Sequence, residues 1–244
     1  MASTYSTNTK LELITTGEKA GQWGGITNTN LQIVEQAATG YASIDMAGAD
    51  VTLALTDGAV SNGKNVYLRL YGTLAANRTL TMPNTANRVW FIDDQTDRNG
   101  TNKYTLGVLT AGGSSTTQIA NKSVNLCRSD GSETKVIILK KGVYYIDNTY
   151  SPYTAVAGDQ IFVNTTSAVV TINLPATPTA GDTVTIMDVK PYFASNKCTI
   201  DRNGKKIQGG TSNIDLTTNG MSATFMYTVA SPVDFGWTYI SKVT

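Results

Sequence analysis

The sequence predicts an all-β fold: two tandem, duplicated antiparallel modules of sandwich or barrel type, preceded by an arm, a Gly/Trp loop and one short helix. Three observations lead there. From Tyr41 onward, short runs of alternating apolar and polar residues recur between clusters of Gly, Asn and Pro, as in proteins with many closely spaced strands. An ordered series of segment matches repeats at a domain-sized offset. Helical periodicity is confined to one stretch before Gly40.

Residues 1–44 form the first segment. Lys10–Ile14 alternates as a strand or extended arm, and Thr16–Gly25 reads as a Gly-punctuated loop around Trp23. The helix is expected from Asn30 to Thr39. Thr29 with Gln32 makes a capping-box start, Leu31, Val34 and Ala38 share one face, and Gly40 ends it. A helix of this length cannot form a core alone, so it packs on its own module or on a partner.

The first module is expected over residues 45–148 and the second over 154–244, with a break near Asn148–Tyr153 where Pro152 interrupts the strands. Arg78–Pro83 matches Val170–Pro175, and the apolar strands Arg88–Asp93 and Thr183–Asp188 follow them. Asn102–Leu106 matches Asn196–Ile200, Gly112–Ser114 matches Gly209–Thr211, and Val124–Leu126 matches Ile214–Leu216. Val143–Ile146 and Trp237–Ile240 close the two copies. The offset stays at roughly 90–97 residues, a duplicated domain and not a solenoid period.

Composition narrows the chemistry. Of the 244 residues, 41% are hydrophobic, enough for real cores, and only 15% are charged, so the polar surface is made of Thr, Ser and Asn. A net charge of +1 gives no electrostatic reason for nucleic acid or an anionic membrane as partner. No apolar run approaches the ~18 residues of a membrane span, and the N-terminus lacks the pattern of a signal peptide. The absence of histidine excludes Ser-His-Asp, Cys-His and His–metal arrangements. Cys127 and Cys198 read as buried small hydrophobes rather than as a disulfide framework.

Three near-motifs remain. Gly58–Asn65 approaches a P-loop, but Asn65 stands where Ser or Thr would bind magnesium and a strand follows instead of a helix. Gln95–Gly100 resembles the opening of an EF-hand loop, with Gln at the first position and Leu106 at the twelfth. A weak calcium site at Asp93, Asp94 and Asp97 is the cation reading, and a turn at Asn99–Gly100 the plainer one. Asp93 and Asp94, adjacent on a strand, point to opposite faces and cannot flank one glycosidic bond. Asn77, Asn121 and Asn164 open glycosylation-type triplets that an Asn/Thr-rich chain produces by chance. No enzyme activity, cofactor or resident metal is expected.

Lys10–Ile14, Thr16–Gly25 and Thr27–Leu31 together resemble the N-terminal module of fibre-like virion proteins of marine phages, of the cyanophage and pelagiphage type. That module runs as a Leu/Ile strand, a Gly-x-x-x-Gly-x-Trp-Gly loop, Thr-Asn-x-Asn-Leu and a short helix ending in Gly. Ala157–Val163, Val169–Pro175, Ala180–Val184, Thr199–Gly204 and Gly236–Trp237 are similar to a small β domain of those virions. The resemblance covers about half the chain. It implies a non-enzymatic virion protein, made in the host cytoplasm, that docks on other virion proteins of tail or capsid. The posts are a short tail fibre or fibre adaptor, a head fibre or capsid decoration protein, or a minor baseplate part. A long repetitive shaft is not part of this sequence. Docking falls on Leu11, Leu13, Trp23, Gly24, Leu31 and Val34, with a place in the first module's core as the other reading of Trp23. A symmetric homo-oligomer, a trimer by analogy, is expected. The alternative function is a carbohydrate-binding module that contacts a host surface glycan through Tyr153, Trp237 or Tyr239.

Overall fold

The computed structural model describes residues 3–84, 87–98, 104–114, 116–130, 134–140, 143–229 and 234–243. A small antiparallel hairpin, β1 (Thr4–Tyr5) with β2 (Glu12–Leu13), precedes the helix α1 (Trp23–Thr39). The strands β3 (Tyr41–Asp45), β4 (Val51–Thr52), β5 (Tyr67–Tyr71), β6 (Arg78–Met82), β7 (Arg88–Asp94), β8 (Leu106–Thr110), β9 (Thr117–Gln118), β10 (Val124–Ser129) and β11 (Thr134–Lys140) follow. They form a five-stranded sheet, β3-β5-β7-β10-β11, and a four-stranded one, β4-β6-β8-β9.

The strands of the second set are β12 (Val143–Ile146), β13 (Tyr153–Thr154), β14 (Gln160–Val163), β15 (Val170–Asn173), β16 (Thr183–Asp188), β17 (Cys198–Asp201), β18 (Ile214–Leu216), β19 (Ser222–Thr228) and β20 (Gly236–Val243). Their sheets, β12-β14-β16-β19-β20 and β13-β15-β17-β18, repeat the first set strand for strand. With 42% of residues in strands, the all-β class holds, and the duplication appears as one wiring used twice.

Strand direction departs from the antiparallel expectation. Successive strands alternate between the two sheets, so the chain re-enters a sheet only after a full coil, running the same way. β3, β5 and β7 are therefore parallel, as are β4, β6 and β8. In the second set β12, β14 and β16 are parallel, and so are β13, β15 and β17. The crossover that a parallel pair needs is here the strand of the opposite sheet. The closing strands run antiparallel in the β7–β10, β16–β19, β19–β20 and β17–β18 pairs. Each module is thus a short, two-sheeted solenoid-like stack ended by antiparallel strands.

Two segment matches change with this wiring. Val124–Leu126 lies in β10, whose counterpart is β19, while Ile214–Leu216 is β18, the counterpart of β9. Val143–Ile146 opens the second set beside β14 instead of closing the first, so that set begins at Val143 and not at residue 154. The chain packs as two compact units: Met1–Thr96, Leu106–Thr117 and Val124–Leu139; and Asp97–Thr105, Gln118–Ser123 and Lys140–Thr244.

Each unit has its own core. Leu68, Leu70, Leu80, Met82, Trp90, Ile92 and Val108 are fully buried in the first, with the Trp90 indole N–H donating to the Gly63 carbonyl at 2.9 Å. In the second, Ile161, Val163, Val170, Ile172, Val184, Ile186, Phe193, Phe225 and Trp237 pack together. The acid at the end of the third sheet strand recurs as Asp94 and Asp188, both buried. Asp94 accepts from the Thr96 amide at 2.9 Å, and Asp188 accepts from the amides of Tyr192, Phe193 and Gly220. These carboxylates tie down the loops that leave their strands, a structural use of buried charge.

A candidate docking surface on the N-terminal helix

α1 begins seven residues before the expected Asn30 start and takes in Trp23, Gly24 and Gly25, which the sequence suggested as a loop. Two adjacent glycines argue against a helix by propensity, but they occupy its first turn, where the amide groups lack helical partners in any case. Thr29 does not cap: its hydroxyl donates to the Gly25 carbonyl one turn back, at 3.0 Å. The C-terminus does end at Gly40, which is extended rather than left-handed. A side chain there would meet the Asn65 side chain and the Gln36 carbonyl, so space demands the glycine.

The helix is anchored along one face. Ile33 is its fully buried residue. The Asn30 side chain exchanges two hydrogen bonds with the backbone of Glu12, at 3.0 and 2.9 Å. Gln36 accepts from the Ser61 amide and donates to Asn65, while its carbonyl accepts from Gly40 and Val66. Ser3 and Lys19 hold the Glu12 carboxyl below its usual range by hydrogen bonding and charge.

On the flank turned away from Ile33 lie Trp23, Thr27, Leu31, Val34 and Ala38, a stripe at four- and three-residue spacing that is apolar except for Thr27. Trp23 and Leu31 are each 62% exposed and Val34 47%. Trp23 is therefore not a core residue of the first module. Leu13 is exposed on the neighbouring hairpin and Gly24 on the helix, whereas Leu11 is half-buried. Burying such a stripe yields roughly 25 cal/mol per Å² of apolar surface.

The proposed glycan contacts do not form a platform. Tyr153 and Trp237 are buried in the second core, because strand alternation turns both inward. Tyr239 packs against the same core, its ring centroid 4.7 Å from that of Phe225. Tyr153 and Trp237 offer no ring face to a sugar, and the half-buried Tyr239 has the Lys242 ammonium over its ring at 5.3 Å.

The near P-loop folds around its own lysine. Asn62–Lys64 is a 3-10 turn, and the fully buried Lys64 ammonium donates to the carbonyls of Thr56 and Ala59, both at 2.6 Å. Burial, then the nearby Arg88, lower its pKa to about 8. Asp93 accepts from Tyr67 and Gln95, and Asp94 is taken up by Thr96, so neither carboxylate faces an open cation position. Asn99–Gly100 lies outside the described residues. Among the described residues no cluster of three or more acidic or Cys side chains could hold a metal. No helix is long and apolar enough to cross a membrane among them.

A buried polar cluster escaped the sequence reading. Asp159 is fully buried and accepts from the Tyr153 hydroxyl at 2.7 Å and the Val156 amide at 2.9 Å. Burial lifts its pKa to about 7, against the opposing pull of those bonds and of Arg98. Tyr153 is raised well above its ordinary value, by burial first and by Asp159 next. Arg98, Tyr104, Thr105, Asn121, Tyr144 and Tyr153 line the small crevice beside it. A second, open depression over Asp201, Arg202, Gly204 and Asn213 is polar, with the Asp201 carboxylate already engaged by Asn203 and Asn213. Cys127 and Cys198 are free and buried. Burial pushes the Cys127 thiol up to about 12 and Cys198 higher still, so both are inert.

No protein-family model matches the chain, and no curated protein does. A solved structure titled "Structure of a chaperone-substrate complex" is similar at 19% identity, over 82% of this chain and 33% of that one, with a TM-score of 0.37. The chain spans about a third of that protein's length, and a likeness at this score carries no argument about fold or function.

Proposed function

We propose that the chain is a non-enzymatic structural protein of a bacteriophage particle: a short tail fibre or fibre adaptor, or a head fibre or capsid decoration protein. It docks through its N-terminal segment and displays two β modules. The observation that carries this reading is the apolar stripe of α1, with Trp23 and Leu31 each 62% exposed on a helix whose opposite face is fixed to the first module. A rigid helix that presents unsatisfied apolar surface suits helix-in-groove docking. The resemblance of Lys10–Leu31 to the N-terminal module of marine-phage virion proteins supports the same partner class, other proteins of the tail or capsid. The duplicated modules fit display, since the polar clusters described above serve to hold loops. A homotrimer located in the virion follows by the same analogy.

Incorporation into particles tests the proposal. Particles assembled with Trp23→Ala in place of the natural chain are expected to carry less of it, while the purified variant melts like the wild type. Unchanged incorporation, with Trp23→Ala and Leu31→Glu combined, refutes docking through this face.

A further inference from the structure

The five-stranded sheet of the first module turns two adjoining rows of side chains outward. Register sets Tyr41, Tyr67 and Phe91 side by side across β3, β5 and β7. Two residues further along the same strands stand Ser43, Arg69 and Asp93. Strand geometry puts neighbours within a row about 4.8 Å apart and the two rows about 6.6 Å apart. Tyr41 is 56% exposed and Phe91 38%. The rings of Tyr41 and Tyr67 are nearly parallel with centroids 5.7 Å apart. That is an offset stack, which leaves part of each ring face to solvent.

The second row is equipped for hydroxyl groups. Asp93 is oriented by the Tyr67 hydroxyl, which donates to it at 3.1 Å, and by the Gln95 amide, which donates at 2.7 Å. These bonds fall on different carboxylate oxygens, so each oxygen keeps a further lone pair. The exposed Arg69 beside it supplies a planar fork of donors. A donor and an acceptor side by side, one charge of each sign, match two neighbouring uncharged hydroxyls. A sugar ring combines that hydroxyl rim with an apolar C–H face, which suits the aromatic row.

A protein partner fits this face poorly. Asp45, Arg69, Arg128 and Lys135 are exposed on the sheet and Asp93 is half-buried, whereas the centres of protein interfaces are depleted in charge. Nor does the fold demand the pattern. Asp94 and Asp188 end equivalent strands, and this fixes the correspondence between the modules. In place of Tyr41, Tyr67 and Phe91 the second module has Val143, Gln160 and Thr185. In place of Ser43, Arg69 and Asp93 it has Tyr145, Phe162 and Met187. The same wiring stands there without an aromatic row beside a charged pair.

We propose that this face of the first module binds a neutral oligosaccharide, its rings stacked on Tyr41, Tyr67 and Phe91 and two adjacent hydroxyls held by Arg69 and Asp93. The site goes beyond the docking role above and shares no residue with the stripe of α1, so the two fail separately.

Isothermal titration calorimetry of the full chain with maltohexaose, cellohexaose, mannohexaose and chitohexaose tests it, with hexagalacturonic acid as the anionic comparison. At least one neutral hexasaccharide should bind. Tyr41→Ala and Arg69→Gln should each weaken that binding by roughly tenfold or more. Both positions are exposed, so melting should match the wild type. Tyr145→Ala, on the equivalent sheet of the second module, should leave binding unchanged. Failure of all four neutral sugars to bind overturns the proposal, as does binding of the acidic one alone. So does a folded Tyr41→Ala/Arg69→Gln double variant that binds sugar like the wild type, including one lost from particles because the face meets a protein instead.

Discussion

Asp159 sets a pH dependence that can be worked from its surroundings. Its carboxyl titrates near 7 in the folded chain against an ordinary value of 3.8, because burial penalises the anion more than Tyr153, Val156 and Arg98 favour it. A raised folded pKa means that between about pH 4 and pH 7 the folded state holds a proton the unfolded state has released. Stability from this group is complete below about pH 4, falls as pH rises through the window, and is flat above about 7. Three units at about 1.4 kcal/mol each give an upper value of ~4 kcal/mol. Asp159→Asn keeps an acceptor for Tyr153 and Val156 but cannot titrate. Urea unfolding followed by tryptophan fluorescence at pH 4.5 and 7.5 should show the wild type losing several kcal/mol more than the variant. The difference between the two removes the background of other carboxyls. Parallel pH profiles would refute the assignment of a buried, proton-binding Asp159.

Two further outcomes follow from buried groups. Lys64→Met should destabilise the first module by roughly 1–3 kcal/mol, since the carbonyls of Thr56 and Ala59 lose their donor, measured as a lower urea midpoint. Cys127 and Cys198 should resist a thiol reagent in the native protein and react only at the rate of unfolding, so fast native labelling would contradict their burial.

The β class was legible because period-two alternation survives in short runs such as Tyr67–Tyr71 and Val143–Ile146. Strand direction was not, because Gly- and Asn-rich turns mark a corner between sheets as readily as a hairpin. The mismatch of Val124–Leu126 arose at β9, only two residues long and nearly invisible as a pattern. Gly24 and Gly25 hid the start of the helix behind their low propensity. Leu31, Val34 and Ala38 were nevertheless read correctly as one face. What the sequence did not reveal is that Ile33 and Gln36 hold the other side, leaving that face free. Trp237 and Tyr153 looked like sugar contacts because aromatic character is visible in a sequence while the inward phase of a strand depends on its neighbours. Lys64 and Asp159 went unseen for a related reason. Nothing in Asn62–Lys64 or Ala157–Asp159 marks those side chains as buried, since a loop that folds back on its own Lys or Asp leaves no periodic pattern in the sequence.

Photo-crosslinking in assembled particles tests the docking claim most directly. A photoreactive residue at position 31, on the apolar stripe of α1, should form an adduct with a different virion protein. The same residue at position 32, on the polar flank of that helix, should form little or none. Equal labelling from both positions, or no intermolecular adduct from position 31 in particles that contain the chain, would contradict docking through this face.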